Sequence, residues 1–292
     1  SYGKNSGGDK NGKNGEDGRD SKNGRAGTEE AGKDGAGTVG KRKIKPAAER
    51  YSLLFASCKK LGMRIPLAEA PSFELPDLAG NAACRKNYMR EDGSLDTAGA
   101  AQEQEQKIAF GVRAVLECIE LCGRNGVGSL LVRPVACSGA SEREWEINRD
   151  FYGSLAQKAR ECGVRILLKN TCRNIGGHLV RGACAEPLQA ARWVDRLNAE
   201  AGGDIFGFCM DSGICTICGN DMQEFARTLG SRVKAVILRD GDGQSDISML
   251  PFSCARNGRS QTDWMSLIRG LRDIGFEGEL VVNFADTAGA FS

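Results

Sequence analysis

The residues able to do chemistry in this chain are mostly thiols and carboxylates, with a single histidine. Cys215-Thr216-Ile217-Cys218 is a C-x-x-C, and Cys137, Cys172 and Cys254 also fall just after strand-like runs. Four thiolates of this kind could hold zinc or an iron–sulfur cluster. No second pair repeats the spacing, so ordinary thiols are expected. His178 follows Gly176-Gly177 in what reads as a flexible loop, where an imidazole could contact a substrate or move a proton. Asp240, Asp242 and Asp246 form an acidic stretch without the full EF-hand pattern or its bidentate glutamate. A solvated turn is the expectation there, with Gly241 and Gly243 allowing the bend. Lys169 and Asp211 each close an apolar run.

Those runs alternate with helical patterns. Residues 48–61 read as a helix stopped at Gly62, followed by a short strand over 63–67. Residues 103–123 carry Ile108, Val112, Val115, Leu116 and Ile119 at helical spacing. Strands are expected over 129–132, 164–168, 205–210, 233–238 and 280–284. Ser141 and Glu144 predict a capping box before a helix that buries Trp145, Leu155 and Ala159 and stops at Gly163. Pro187 opens a helix to about residue 199, residues 221–229 form another, and Asp263 precedes the last. The strands are continuous apolar runs, which suits a parallel sheet covered by helices, so the fold class is α/β. No Gly-x-Gly-x-x-Gly follows the first strand, so nothing supports a dinucleotide fold.

The first 40 residues are dominated by Gly, Lys, Asn, Asp and Ser, with Val39 the only large aliphatic. Such a segment has no apolar face to offset its ordering entropy. The expected organisation is a disordered tail over 1–47 and one domain over 48–292. Acidic residues interleave the tail's lysines, and the whole chain carries a formal net charge of +2, so neither nucleic acid nor a membrane surface is an expected partner. No apolar run approaches the roughly 20 residues of a membrane span. The twelve cysteines lack the compact spacing of a secreted disulfide scaffold. Several, such as Cys118, Cys122 and Cys209, sit inside apolar stretches, so reduced buried thiols in a cytoplasmic protein are expected.

Short segments in a consistent order resemble the xylose isomerase-like TIM barrel family of sugar (phosphate) isomerases and epimerases. Leu167-Leu168-Lys169-Asn170 is similar to the family's strand ending in Leu-Glu-Asn. Cys209-Met210-Asp211-Ser212-Gly213-Ile214 is similar to its Asp-Thr-Gly-His strand end. Ile237-Leu238-Arg239-Asp240-Gly241-Asp242-Gly243 resembles its His-Leu-His-Asp-Asn-Asp-Gly turn. Asp246-Ile247-Ser248-Met249-Leu250-Pro251-Phe252 resembles its Asp-His-Leu-Leu-Pro-Phe loop. Asp263-Trp264, Gly275-Phe276-Glu277-Gly278 and residues 63–71 match further family segments. The resemblance implies a (β/α) barrel of which strands three to eight are recognisable. The expectation is an incomplete barrel, either a truncated chain or one whose sheet is closed by a rearrangement, a homo-oligomer or a homologous partner.

The resemblance also implies a divalent metal, such as manganese, magnesium, cobalt or zinc, held at the barrel mouth by two acid/base carboxylates, an aspartate and a histidine. This sequence departs at those positions. Lys169 stands at the fifth-strand glutamate and Asn283 at the eighth-strand glutamate; Asp211 alone is kept. The seventh-strand histidine maps to Ile237, or to Arg239 in an alternative alignment, and Ile214 and Ser248 replace two further histidines. No metal cofactor is therefore expected, nor metal-dependent isomerisation. The apurinic-site endonucleases resemble this barrel but need several histidines, which one histidine cannot supply. Lys169 is expected to enter the mouth beside Asp211 as a fixed surrogate cation. The implied partner is a sugar or sugar phosphate, with Lys169, Asp211, Arg239, Asp240, His178 and Asn283 as the candidate binding residues. Other readings are a structural ion pair filling a dead cavity, a metal-free isomerase, epimerase or aldolase using Lys169 in an imine, and a non-catalytic subunit.

Overall fold

A computed structural model describes residues 47–73, 75, 85–136, 141–256 and 259–289. The expected tail over 1–47, apart from its last residue, and Cys137 lie outside the described residues. The apolar runs become six parallel strands: β1 (Leu67–Glu69), β2 (Ser129–Leu131), β3 (Arg165–Lys169), β6 (Phe206–Asp211), β7 (Val233–Leu238) and β10 (Glu279–Val282), while β4 (Cys172–Ile175) with β5 (His178–Arg181) and β8 (Ala255–Arg256) with β9 (Arg259–Ser260) form two separate antiparallel pairs. The six parallel strands lie side by side in that order in one sheet. Helices α1 (Ala47–Lys60), α2 (Thr97–Arg124), α3 (Ser141–Cys162), α4 (Pro187–Ala201), α5 (Ser212–Ile217), α6 (Met222–Leu229), α7 (Trp264–Asp273) and α8 (Ala285–Gly289) punctuate the strands.

Strand parity divides the apolar residues between two cores, because successive side chains point to opposite faces. Leu131, Leu167, Cys209, Ala235 and Ile237 form an inner cluster. The larger outer core packs Phe206, Phe208 and Val236 against Tyr152 and Leu155 of α3, Trp193 of α4 and Phe225 of α6. Leu67 of β1 and Val281 of β10 both rest on the inner cluster, so the two ends of the sheet share one interior. Arg64 also reaches Glu279 across those ends at 3.0 Å. The result is a nearly closed barrel, although β1 and β10 are not neighbours in the hydrogen-bonded order.

Several boundaries differ from the sequence expectation. The first strand runs over Leu67–Glu69 rather than 63–67, after Pro66, which has no N–H to give to a ladder. Helix α2 starts earlier than 103, capped by Asp96, whose carboxylate accepts from Gly99 N at 3.1 Å. The stretch around His178 is a β-hairpin, not a loop: β4 (Cys172–Ile175) pairs with β5 (His178–Arg181). Its two-residue turn needs positive φ at both positions, and Gly176 and Gly177 supply it at 60° and 89°.

Glu144 is the half of the expected capping box that is described, since the Ser141 side chain lies outside the described residues. The Glu144 side chain is buried at the start of α3, and its Oε1 has no hydrogen-bond partner. Burial pushes its carboxyl pKa up, and the charge of Arg173 offsets only part of that. A carboxyl with a raised folded pKa lowers stability once it ionises. The penalty grows as pH rises from the ordinary carboxylate range through the folded value and is full above it. Glu144→Gln should therefore raise the melting temperature at pH 7, and the gain should vanish in acid. Melting curves from pH 4 to 8 check this; a gain that does not change with pH would show that the charge is not the cause.

Candidate functional site

The last inward position of each strand brings polar groups to the C-terminal end of the barrel, where catalytic residues of such folds gather. A cavity of about 310 Å³ opens there, with Phe73, Arg133, Lys169, Arg239, Asp246 and Asn283 among its lining residues. Asp211 lies beneath it, fully buried at the end of β6. Lys169 Nζ, at the end of β3, is 2.6 Å from Asp211 Oδ2, a charge contact without the alignment of a directed hydrogen bond. Arg239 Nε donates to Asp211 Oδ1 at 2.7 Å. The same guanidinium reaches Asp246 Oδ1 through Nη2 at 2.8 Å and donates to Ile247 O through Nη1 at 2.8 Å. The mouth thus holds a chain of alternating charge: Lys169, Asp211, Arg239, Asp246.

Local sequence explains why this chain is rigid. Asp211 is also the N-cap of α5, its Oδ1 accepting from Ile214 N at 3.1 Å. The Asn170 amide grips the Asp211 backbone from the next strand, accepting from its N–H at 2.8 Å and donating to its carbonyl at 3.1 Å. Ser212 Oγ does the same for Arg239, donating to its carbonyl at 2.8 Å and accepting from its N–H at 3.0 Å. Gly213 lets the guanidinium lie against α5, since a Cβ there would stand 2.7 Å from Arg239 Nε.

Burial alone would raise the Asp211 carboxyl pKa, but the charges of Lys169 and Arg239 outweigh it and hold the carboxyl below its ordinary value. For Arg239, burial pulls the pKa down, but Asp211 and Asp246 more than compensate and keep the guanidinium charged.

Of the residues expected in the site, Lys169, Asp211 and Arg239 come together, and Asn283 lines the same cavity. Arg239, not Ile237, reaches Asp211; Ile237 lies one layer deeper in the inner cluster. Asp240 is buried but turned away from the cavity. It accepts from Thr262 Oγ1 at 2.8 Å and from Cys254 N at 3.1 Å, and so ties down the loop that follows β7. His178 is exposed on the hairpin and does not line the cavity. Asp242 is the turn residue, accepting from Gln244 and Ser245 N–H groups, whereas Asp246 belongs to the ion chain rather than to a solvated turn.

Sequence reasoning missed Arg133 and the clamp of Asn170. The signal for Arg133 was its parity with inward-facing Leu131. The thiols near the mouth are buried to different degrees, and burial pushes each pKa up: Cys218 to about 11, Cys215 well above the ordinary thiol value, Cys172 and Cys254 in the same direction. None is poised as a thiolate near neutral pH. Among the described residues, no group of three or more His, Cys, Asp or Glu side chains is arranged to hold a metal ion.

The sequence pattern of the xylose isomerase-like TIM barrel family matches residues 28–289. The chain belongs to that family. Among solved structures, this xylose isomerase-like barrel is similar to a D-tagatose 3-epimerase-like protein, with a TM-score of 0.58 and 15% identity over 84% of this chain and 80% of that one. An L-ribulose 3-epimerase superposes with a TM-score of 0.56 and 15% identity over 82% and 68% of the two chains. A 3-keto-D-glucoside 4-epimerase from E. coli gives 0.54 and 14% over 84% and 82%. At these identities the likeness is one of fold. Among curated proteins, no sequence matches the chain. Among the described residues, no helix is long and apolar enough to cross a membrane.

Proposed function

We propose that this xylose isomerase-like barrel holds a small sugar or sugar phosphate in its mouth and does not catalyse metal-dependent isomerisation. The observation that carries this reading is the state of Asp211. Both of its carboxylate oxygens face cations of the chain itself, Lys169 at 2.6 Å and Arg239 at 2.7 Å. Hard divalent ions need several free oxygen or imidazole ligands. Here the retained carboxylate is occupied, and Lys169 and Asn283 stand where the resemblance implies the acid/base glutamates. A donor set of one engaged carboxylate, an amide and two cations does not fit a divalent metal. Proton shuttling next to a carbonyl needs a base and an acid placed on the substrate, and among the described residues no such carboxylate pair lines the cavity. The sugar class is suggested by the sugar epimerases that share the fold. The buried thiols of Cys122, Cys184, Cys209 and Cys215 suit a reducing, cytoplasmic setting.

Thermal unfolding with excess manganese, with a chelator and with a panel of ketoses and sugar phosphates tests the reading. A ligand that binds only the folded state raises its apparent stability by mass action. The melting temperature should ignore manganese and chelator and rise with a sugar. A clear rise with manganese would restore the metal-dependent isomerase. Borohydride trapping with aldehydes and ketones should leave Lys169 unmodified, because its amine is engaged by Asp211; a covalent adduct would instead establish imine chemistry.

A further inference from the structure

We infer that the mouth selects sugars bearing an anionic group, a carboxylate or a phosphate, and that Arg133 and Lys169 are the pair that takes it. This rests on the reading that the mouth takes a sugar, and it narrows the class away from the neutral ketoses and ketoglucosides named for the structural neighbours.

The geometry starts from strand register. Leu131 of β2 pairs with Leu167 of β3, and both point inward. Two residues further on, the same parity turns Arg133 and Lys169 inward side by side. Both line the cavity. The third cation, Arg239, has spent its donors on Asp211, Asp246 and Ile247 O. Arg133 and Lys169 have not. Arg133 uses Nε on Glu69 at 2.7 Å, and its guanidinium is half-exposed. Lys169 makes one ion contact, with Asp211, and an ammonium has three donors.

The acceptors do not balance these donors. Asp211 is sealed beneath the cavity with both oxygens engaged, and Glu69 is not among the lining residues. Among the described residues, Asp246 is the one carboxylate lining the cavity, against three cations, and it is already held by Arg239. A neutral sugar brings hydroxyls that both donate and accept, and leaves this surplus of charged donors partly unmet. A carboxylate or phosphate brings only acceptors, and charge-assisted hydrogen bonds of this kind are about twice as strong as neutral ones. Phe73 supplies the apolar wall on which the C–H face of a sugar can rest. It is fixed by an edge-on contact with Phe151 at 5.5 Å between ring centroids. The Asn283 amide N–H groups and the Ser248 hydroxyl line the same cavity and can meet the sugar hydroxyls.

Isothermal titration of the full chain with matched pairs tests the inference: D-glucose against D-glucuronate and D-gluconate, D-ribose against D-ribose 5-phosphate, with acetate and inorganic phosphate alone as controls. The anionic member should bind at least about ten-fold more tightly than its neutral partner, and the preference should shrink as salt is raised. Arg133→Gln should collapse the ratio of anionic to neutral affinity; the half-exposed position makes misfolding an unsuitable explanation, and circular dichroism confirms the fold. Which anion it is follows from whether the carboxylate or the phosphate series is tighter. Equal affinity within each pair overturns this inference while leaving the sugar reading standing. Inorganic phosphate binding as tightly as ribose 5-phosphate overturns it in favour of a simple anion site. No binding of any sugar, neutral or charged, removes both.

Discussion

Asp211→Ala is expected to cost about 3–5 kcal/mol of folding stability, the range for breaking a buried ion pair from one side. The size follows from what the substitution leaves behind. Lys169 and Arg239 are both buried, with side chains 8% and 4% exposed, and each turns toward the same carboxylate. Removing it strands the ammonium and takes one of two carboxylates from the guanidinium, which keeps Asp246. The N-cap of α5 is lost as well. Asp211→Asn keeps an oxygen for Ile214 N and should cost less, by about the 0.5–2 kcal/mol of a cap. Lys169→Met should cost less still, because Asp211 retains Arg239. Urea unfolding of the three variants gives the ranking; a loss below about 1 kcal/mol for Asp211→Ala would mean that water reaches the ion chain. The acid limb supplies an independent check. A carboxyl held below its ordinary value adds stability that is present above the unfolded pKa and is lost as pH falls through the folded pKa. Wild type should therefore weaken more steeply in acid than Asp211→Asn.

The barrel is legible in the sequence because each strand that builds it is a short, continuous apolar run between helical patterns. Residues 233–238 are expected as a strand and form one, and Pro187 and Asp263 mark their helix starts where expected. The pairing of Lys169 with Asp211 is legible for a related reason, since both end inward-facing strands of one barrel. What fails is what depends on parity or on returning loops. Arg239 and Asp240 are adjacent, so only one can face the mouth, and the sequence does not say which. Ile237 and Arg239 share a parity and differ only in depth. Asp246 meets Arg239 because the loop after β7 folds back, which no local pattern records. The β4–β5 hairpin carries mixed polar residues rather than an apolar run, and only its Gly-Gly turn announces it. Glu144 fits the capping-box spacing, and that spacing does not record the packing around α3 that buries it.

Rebuilding the implied ligand set should give the mouth a metal. Lys169, Arg239 and Asn283 all line the cavity, and Asp211 already lies between the first two. In a chain carrying Lys169→Glu, Arg239→His and Asn283→Glu, three carboxylates and an imidazole would converge where two cations now neutralise one carboxylate. Without metal this variant should be less stable than wild type, because like charges meet in a partly buried site. Manganese should reverse that. At a concentration one hundred times its dissociation constant it would add about 2.7 kcal/mol, or roughly 5–11 °C in melting temperature for a domain of this size, while wild type does not respond. Lys169→Glu alone should respond weakly, since Arg239 still bonds Asp211. If the triple variant folds and binds no manganese, the four positions do not converge on a common point, and the ion chain is not a replacement for a metal. If it binds, a few substitutions separate this mouth from a metal site, and Lys169 and Arg239 are what keeps the ion out.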